Sequence, residues 1–174
     1  MVLRNATPGD FAAILTLNEE AVAMLSPLSS ARRAALHRDA ARHRLVEEAG
    51  TVLAFLLAFR EGATYDSPNY QWFARHFERF LYIDRVVVAS ARRAGGLGTR
   101  LYHDLFAFAA HTTVATITCE FDVDPPNVAS ARFHAMFGFR EVGRQRVAGG
   151  QKLVSLQALS LPQDTPATTQ SSAA

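Results

Sequence analysis

Residues 80–108 read FLYIDRVVVASARRAGGLGTRLYHDLFAF. The first part, residues 80–89, is apolar and rich in β-branched side chains, which favours a buried strand. From Leu97 onward, apolar residues recur at intervals of four, four and three, and this spacing predicts an amphipathic helix. Between the two, three of the four residues at 95–98 are glycine. The stretch therefore predicts a strand, a glycine loop and a helix in succession.

The glycine loop is a candidate anion site. Backbone amides that no Cβ shields can converge on a phosphate at the N-terminus of the following helix. The loop is not a P-loop, because no Gly-Lys-Ser/Thr follows, and it lacks the third glycine of the dinucleotide fingerprint. The alternative is a tight turn without a ligand.

The rest of the chain alternates short strands and helices. We predict strands over 2–4, 44–48, 52–59, 114–121, 139–147 and 151–160, and helices over 8–25, 30–41, 70–77 and 128–137. Pro8 starts the first helix and Ser26-Pro27 ends it, while Gly138 ends the last. The length of 174 residues suits one domain, which we place at 1–161. The segment 162–174 has too little apolar content to fold, so we expect a disordered tail.

Composition excludes several classes of protein. The longest apolar run, Val52 to Phe59, is far shorter than the ~20 residues that span a bilayer. Nothing at the N-terminus marks it for secretion, so we expect a cytoplasmic protein. Cys119 is the only cysteine, which excludes an internal disulfide, and we assign it to packing. His37 and His43 lack the spacing of a helical metal pair, so we expect no metal site.

Charge gives little support to a nucleic-acid partner. The net charge is only +2, although four arginines fall in or beside the second predicted helix, namely Arg32, Arg33, Arg38 and Arg42. We interpret them as a solvated helix face and expect no nucleic acid and no membrane partner.

Two motifs resemble the GNAT superfamily of N-acetyltransferases. Arg93-Ala94-Gly95-Gly96-Leu97-Gly98 matches that family's Arg/Gln-x-x-Gly-x-Gly/Ala signature, and residues 82–88 look like its central strand. Residues 127–139, NVASARFHAMFGF, resemble its second cofactor motif, which ends in Gly-Phe. The resemblance implies an α/β fold with a mixed sheet of about seven strands, flanked by helices and splayed at its centre. It also implies acetyl-CoA as co-substrate.

The resemblance also implies which residues bind coenzyme A. Backbone amides of the glycine loop would hold the pyrophosphate, namely those of Arg93, Ala94, Gly95, Gly96, Gly98 and Thr99. Val86 and Val88 would pair with the pantetheine arm like an added strand. An amide near Val87 or Val88 could polarise the thioester carbonyl. Asn127 would reach the cofactor from the second motif.

Transfer to an amine also requires proton movement, because an ammonium group has no lone pair. Asp84 and Glu120 are the best candidate bases, with Asp122 less favoured; alternatively, Asp84 pairs with a neighbouring arginine. His134 stands where many family members have a tyrosine acid, and it could supply a proton or merely pack. Ala94 replaces a more usual glycine, at little cost if its φ is negative.

The acceptor site is the least defined part. The resemblance and an aromatic insertion suggest walls from Leu25, Leu28, Tyr65, Tyr70, Trp72 and Phe73, although the aromatic residues could instead cap the core. We expect direct acetyl transfer to a primary amine of a small molecule, by a monomer or homodimer. The alternatives are acetylation of a protein N-terminus or lysine, and a non-catalytic acyl-CoA binding or sensing module.

Overall fold

The computed structural model describes residues 1–21 and 30–162. Seven strands form one mixed sheet in the order β1-β2-β3-β4-β5-β7-β6. The strands are β1 (Val2–Asn5), β2 (Arg42–Glu48), β3 (Thr51–Arg60), β4 (Phe80–Val88), β5 (Thr116–Asp124), β6 (Arg140–Val147) and β7 (Lys152–Ser160). The helices are α1 (Phe11–Glu20), α2 (Ser30–Asp39), α3 (Pro68–His76), α4 (Leu97–Ala110) and α5 (Val128–Met136). The predicted α/β architecture is confirmed.

The first helix begins as the sequence predicts. Thr7 and Asp10 form a capping box around a short 3₁₀ turn that starts at Pro8, and α1 follows at Phe11. Arg4 on β1 also binds Asp10, with its Nη2 2.7 Å from Oδ1. α1 ends at Glu20, earlier than the predicted end at residue 25. The predicted stop at Ser26-Pro27 and residues 163–174 of the predicted tail lie outside the described residues.

Both faces of the sheet are covered. On one face, Leu97, Leu101 and Leu105 of α4 pack in a core cluster with Ile83 of β4 and Cys119 of β5. This confirms the packing role of Cys119, which is buried and free. On the other face, α1 and α3 cover separate apolar clusters. The apolar stripe predicted for the helix that starts at Leu97 therefore faces the sheet.

The sheet separates at its centre. β4 pairs with β3 along its length, but its parallel pairing with β5 covers only Phe80–Tyr82 against Thr116–Thr118. A bulge opposite Leu57 and Ala58 leaves Asp84 without a partner residue on β3. Beyond this seam, β4 and β5 leave a gap, which we call the slot. The splay expected from the resemblance is present.

Three of the four arginines in or beside the second helix form ion pairs. Arg32 and Arg38 are exposed and pair with Asp66 and Asp39. Arg42 belongs to β2 and lies 2.6 Å from Asp104 of α4. The side chain of Arg33 is outside the described part of the structure.

His37 and His43 are neighbours in space although their sequence spacing is irregular. Their Nδ1 atoms lie 2.9 Å apart. In residues 1–21 and 30–162, no group of three or more metal-ligating side chains is found. No helix in these residues is long and apolar enough to cross a membrane.

Candidate active site

The glycine loop leads from the end of β4 into α4. The first helical hydrogen bond of α4 runs from the Arg100 amide to the Gly96 carbonyl, at 2.9 Å. The amides of Leu97, Gly98 and Thr99 precede that bond and have no acceptor within the helix. They form the electropositive helix end that an anion site requires.

Not every predicted loop residue contributes in the same way. The Arg93 and Gly95 amides make long hydrogen bonds inside the loop, to Ser90 O at 3.4 Å and Arg92 O at 3.3 Å. Gly96 has φ +74°, and a Cβ there would meet no atom within 4 Å. A Cβ on Gly98 would lie 3.3 Å from the Phe133 ring of α5, so this glycine lets α4 and α5 pack closely. Bulk at Gly98 would therefore strike Phe133.

An alanine at position 94 costs little conformational energy only if its φ is negative, and Ala94 does not meet this condition. Its φ is +65°, in the left-handed region that favours glycine. The loop therefore carries backbone strain at this position.

We expect Ala94→Gly to raise the free energy of unfolding by about 1 kcal/mol. An L-residue in this conformation costs roughly 1–2 kcal/mol, and the greater unfolded-state freedom of glycine offsets part of the gain. Urea unfolding measures the change. The control Ala91→Gly, in the preceding helical turn, should be neutral or destabilising. If the Ala94→Gly protein is no more stable than the wild type, the inference that the backbone is strained at Ala94 is wrong.

The free edge of β4 can be assigned from its hydrogen bonds to β3. The Ala89 amide donates to Leu53 O at 2.8 Å, so by alternation the Val87 amide also faces β3. The backbone groups of Val86 and Val88 therefore face the slot. This alternation favours Val88 over Val87 as the amide that could polarise a carbonyl there.

Glu120 lies on β5 where the slot opens. The Tyr82 hydroxyl donates to Glu120 Oε1 at 3.0 Å. The other oxygen, Oε2, is buried and has no hydrogen-bond partner among the described residues. Burial, followed by the nearby charge of Asp84, raises the pKa of Glu120 to about 8. A carboxyl with such a pKa can exchange a proton near neutral pH.

Asp84, the bulged residue of β4, is held by two neighbours. Its Oδ2 lies 2.6 Å from Arg85 Nε, and its Oδ1 accepts a hydrogen bond from the Tyr65 hydroxyl. Arg85 is also bound to Asn18 Oδ1 of α1, at 2.7 Å. The sequence left open whether Asp84 pairs with a neighbouring arginine, and the structure shows that it does.

The aromatic segment divides between core and site. Tyr70 and Phe73 are 1% and 0% exposed and belong to the core cluster under α3, so the core-cap interpretation describes these two. Trp72 stacks on His76 and covers Gly143 of β6. Tyr65 alone reaches a candidate catalytic carboxylate. Leu25 and Leu28 lie outside the described residues.

His134 of α5 is enclosed rather than open to the slot. It is 4% exposed, its Nδ1 lies 2.8 Å from Ser130 O, and its Nε2 lies 2.8 Å from the Tyr102 hydroxyl. Burial lowers the pKa of its imidazole. These contacts fit a neutral ring that donates from Nδ1 and accepts at Nε2.

Asn127 and Asp122 have structural partners. Asn127 Oδ1 caps α5 by accepting from the Ser130 amide at 3.1 Å, so its contact with a cofactor stays a prediction. Asp122 is paired with Lys152 of β7 at 2.8 Å.

Sequence reasoning missed Tyr82, whose hydroxyl binds Glu120. Period-two alternation along β4 and β5 could have placed Tyr82 on the same face as Glu120.

Comparison with known proteins agrees with this geometry. The profile of the Acetyltransferase (GNAT) family matches residues 11–139. A phosphinothricin N-acetyltransferase of Streptomyces coelicolor is 46% identical over 68 residues, which cover 37% of this chain and 36% of that relative. The chain thus spans about a third of the length of this curated relative.

Two solved structures share the fold. The ribosomal-protein-S18-alanine N-acetyltransferase from Escherichia coli is 16% identical, with a TM-score of 0.72 over 95% of this chain and 97% of its own. The yncA protein from Salmonella typhimurium, solved with its cofactor acetyl-CoA, is 21% identical, with a TM-score of 0.71 over 95% and 96%. The family match covers most of the chain and includes both the glycine loop and the slot, so this protein belongs to the GNAT acetyltransferase family, whose acyl donor is acetyl-CoA.

Proposed function

We propose that this chain transfers an acetyl group directly from acetyl-CoA to a primary amine of a small molecule, within a ternary complex. The observation that carries the proposal is Glu120, whose buried Oε2 has no partner in the described structure and lies beside the free edge of β4. A carboxyl in this place can accept the proton of an incoming ammonium group.

The residues around the glycine loop fit coenzyme A. The amides of Leu97, Gly98 and Thr99 offer donors to a pyrophosphate, and Gly96 leaves open space beside them. Val86 and Val88 offer backbone groups to an amide-bearing arm. Acetyl-CoA supplies an acetyl group activated as a thioester.

Glu120 and Asp84 have separate roles in this proposal. Glu120 takes one proton from the ammonium, which leaves the amine lone pair free to attack the thioester carbonyl. The Asp84 carboxylate is held in place by Arg85 and Tyr65. Its role is therefore to supply negative charge at the site and to orient the Tyr65 hydroxyl. Burial and the Asp84 carboxylate raise the pKa of Tyr65, so its hydroxyl keeps its proton. The Val88 amide would stabilise the oxyanion. The carbon–sulfur bond would then break, so that coenzyme A leaves as a thiolate. Solvent would take the second proton of the amine and would protonate the thiolate.

We propose packing, rather than acid catalysis, for His134. We expect His134→Phe to lower the free energy of unfolding by about 1–3 kcal/mol, because the buried Tyr102 hydroxyl loses its partner. The pH dependence of kcat/KM should be the same as in the wild-type protein, with a rise to a plateau. Tyr102→Phe, which removes the same hydrogen bond from the other side, is the matched variant. An alkaline limb in the wild-type profile that disappears in a His134→Phe protein of wild-type stability would restore the acid role.

A small-molecule acceptor is favoured by two observations. Tyr70 and Phe73 pack α3 on the sheet, and the hydroxyl of buried Tyr65 binds Asp84, so Tyr65 is a rigid group on the acceptor side. The similar segment of the Streptomyces coelicolor protein belongs to an enzyme named for a small molecule.

An acceptor panel tests the function. Thiol release from acetyl-CoA is measured with small primary amines, with peptides that have free N-termini, and with lysine peptides, and mass analysis identifies each product. We expect release with small amines and an acetylated small molecule as product. Release with peptides alone would instead indicate a protein acetyltransferase. Tight acetyl-CoA binding without release would indicate a sensing module.

A further inference from the structure

Lys152 is the first residue of β7 and the only lysine of the chain, which has 18 lysine and arginine residues together. Its side chain differs chemically from those of the arginines. A lysine amine becomes a nucleophile when it loses a proton, whereas a guanidinium group stays protonated in proteins. Lys152 therefore carries the one side-chain amine of the sequence that can react as an amine acceptor does.

The ammonium group of Lys152 is bound to β5. Its Nζ lies 2.8 Å from Asp122 Oδ2. Side chains alternate between the two faces of a strand, so Asp122 lies on the same face of β5 as Glu120. The strand pairing agrees, because Val154 and Leu156 of β7 stand opposite Asp122 and Glu120. Lys152 thus lies on the face of the sheet that carries Glu120.

Lys152 also lies beside the open part of the slot. The paired part of β4 and β5 ends at Tyr82 and Thr118. Because the two strands run parallel, Val86 and Asp122 each lie four residues beyond that pair, on opposite sides of the slot. This places each of them about 13 Å along its strand from the seam. The ion pair of Lys152 therefore stands across the slot from the edge of β4 that we assign to the pantetheine arm.

The Lys152 side chain is accessible while its partner is not. Lys152 keeps 27% of its side-chain surface exposed, whereas Asp122 keeps 9%. The four-carbon stem of a lysine is flexible, so Nζ can turn from Asp122 towards the slot while the carboxylate stays in place. Asp122 is also within hydrogen-bond reach of the proton that the ammonium group must lose before it can attack.

We propose that Lys152 is a self-acetylation site, which takes an acetyl group from the acetyl-CoA bound by its own chain. The inference rests on the proposed function, because the same thioester serves both amines. Asp122 takes one proton from the ammonium group, and the lone pair of Nζ attacks the thioester carbonyl. The carbon–sulfur bond breaks, and coenzyme A leaves as a thiolate. The second proton of the amine and the proton on Asp122 pass to solvent. The product is an uncharged amide, so acetylation ends the ion pair with Asp122.

Incubation of the full chain with saturating acetyl-CoA and no acceptor tests the site. Intact-mass analysis counts the acetyl groups, and peptide mass analysis separates Lys152 from the N-terminal amine. We expect one acetyl group on Lys152 and the release of one equivalent of thiol per chain. The rate constant should not depend on protein concentration, because the amine and the slot belong to the same chain.

Three controls separate self-acetylation from ordinary chemical acetylation. Lys152→Arg keeps a cation beside Asp122 but has no amine, so it should not release this equivalent of thiol. The chain unfolded in guanidinium chloride has the same lysine without the slot, and Lys152 should react there about 100-fold more slowly. Arg38→Lys places a lysine beside Asp39 on α2, where the wild-type side chain is 74% exposed, and this lysine should react at the slow rate of the unfolded chain. A Lys152 that reacts no faster in the folded chain than in the unfolded chain would overturn the proposal.

Failure of this inference and failure of the proposed function have different signatures. If small amines are acetylated while Lys152 stays unmodified without them, self-acetylation is wrong and the proposed function stands. If Lys152 is acetylated but small amines release no further thiol, the proposed acceptor class is wrong and the self-acetylation site stands.

Discussion

Glu120→Gln is expected to lower kcat by about 100-fold or more, the usual effect of removing a positioned general base. The amide has the shape of the carboxyl but cannot take a proton from an ammonium group. Because wild-type Glu120 ionises at a pKa of about 8, kcat/KM should rise with pH through that value and level off above it. In the variant this acid limb disappears, once ionisation of the acceptor amine itself is accounted for.

The controls separate catalysis from binding and folding. Calorimetry should give an unchanged acetyl-CoA affinity for Glu120→Gln, since the carboxyl lies on β5 and the glycine loop follows β4. Glu78→Gln makes the same change at an exposed position and should keep wild-type turnover. If Glu120→Gln turns over normally while folded Asp84→Asn does not, the base is Asp84. If both variants keep wild-type turnover, the remaining sources of catalysis are the positioning of the two substrates and the amide that stabilises the oxyanion.

Gly96→Val is expected to weaken acetyl-CoA binding by roughly 100-fold, the equivalent of losing one or two hydrogen bonds to a charged group. The Cβ position of Gly96 is open, and a side chain there would occupy the approach to the first-turn amides of α4. Calorimetric titration with acetyl-CoA measures the change.

Backbone strain must be controlled, because Gly96 has φ +74°. Gly62 has φ +80°, equally open space, and a position just after β3, near the start of β4 and remote from the glycine loop. Gly62→Val should therefore lose a similar amount of stability and keep its acetyl-CoA affinity. Wild-type affinity in a folded Gly96→Val protein would show that the loop is only a turn.

The fold could be predicted from sequence because its signals are local. The period of apolar residues in 80–108 gives a strand and a helix, and the helix lies at Leu97–Ala110. The capping box at Thr7 and the glycine after α5 mark helix ends within a few residues. The position of Glu120 on a strand next to the central one also follows from element order.

The chemistry of the site could not be predicted because its partners are distant in sequence. Asp84 is bound by Tyr65, and its partner Arg85 is anchored by Asn18, so neither contact has a local pattern. Gly98 matches the signature for phosphate binding, yet the position where a Cβ would stand faces Phe133 of another helix. By residue type alone, Tyr70 and Phe73 cannot be distinguished from residues that line an acceptor pocket. Only the packing in the folded chain shows that they are buried.

The seam between Phe80–Tyr82 and Thr116–Thr118 has a consequence for local opening. It is the direct backbone pairing between strands β1–β4 and strands β5–β7, and it is three residues long. Amide hydrogen exchange should therefore resolve two cooperative units with separate opening free energies, divided along this line. An acyl donor that pairs with Val86 and Val88 would lengthen the connection, so protection should rise in both units at once when acetyl-CoA is added.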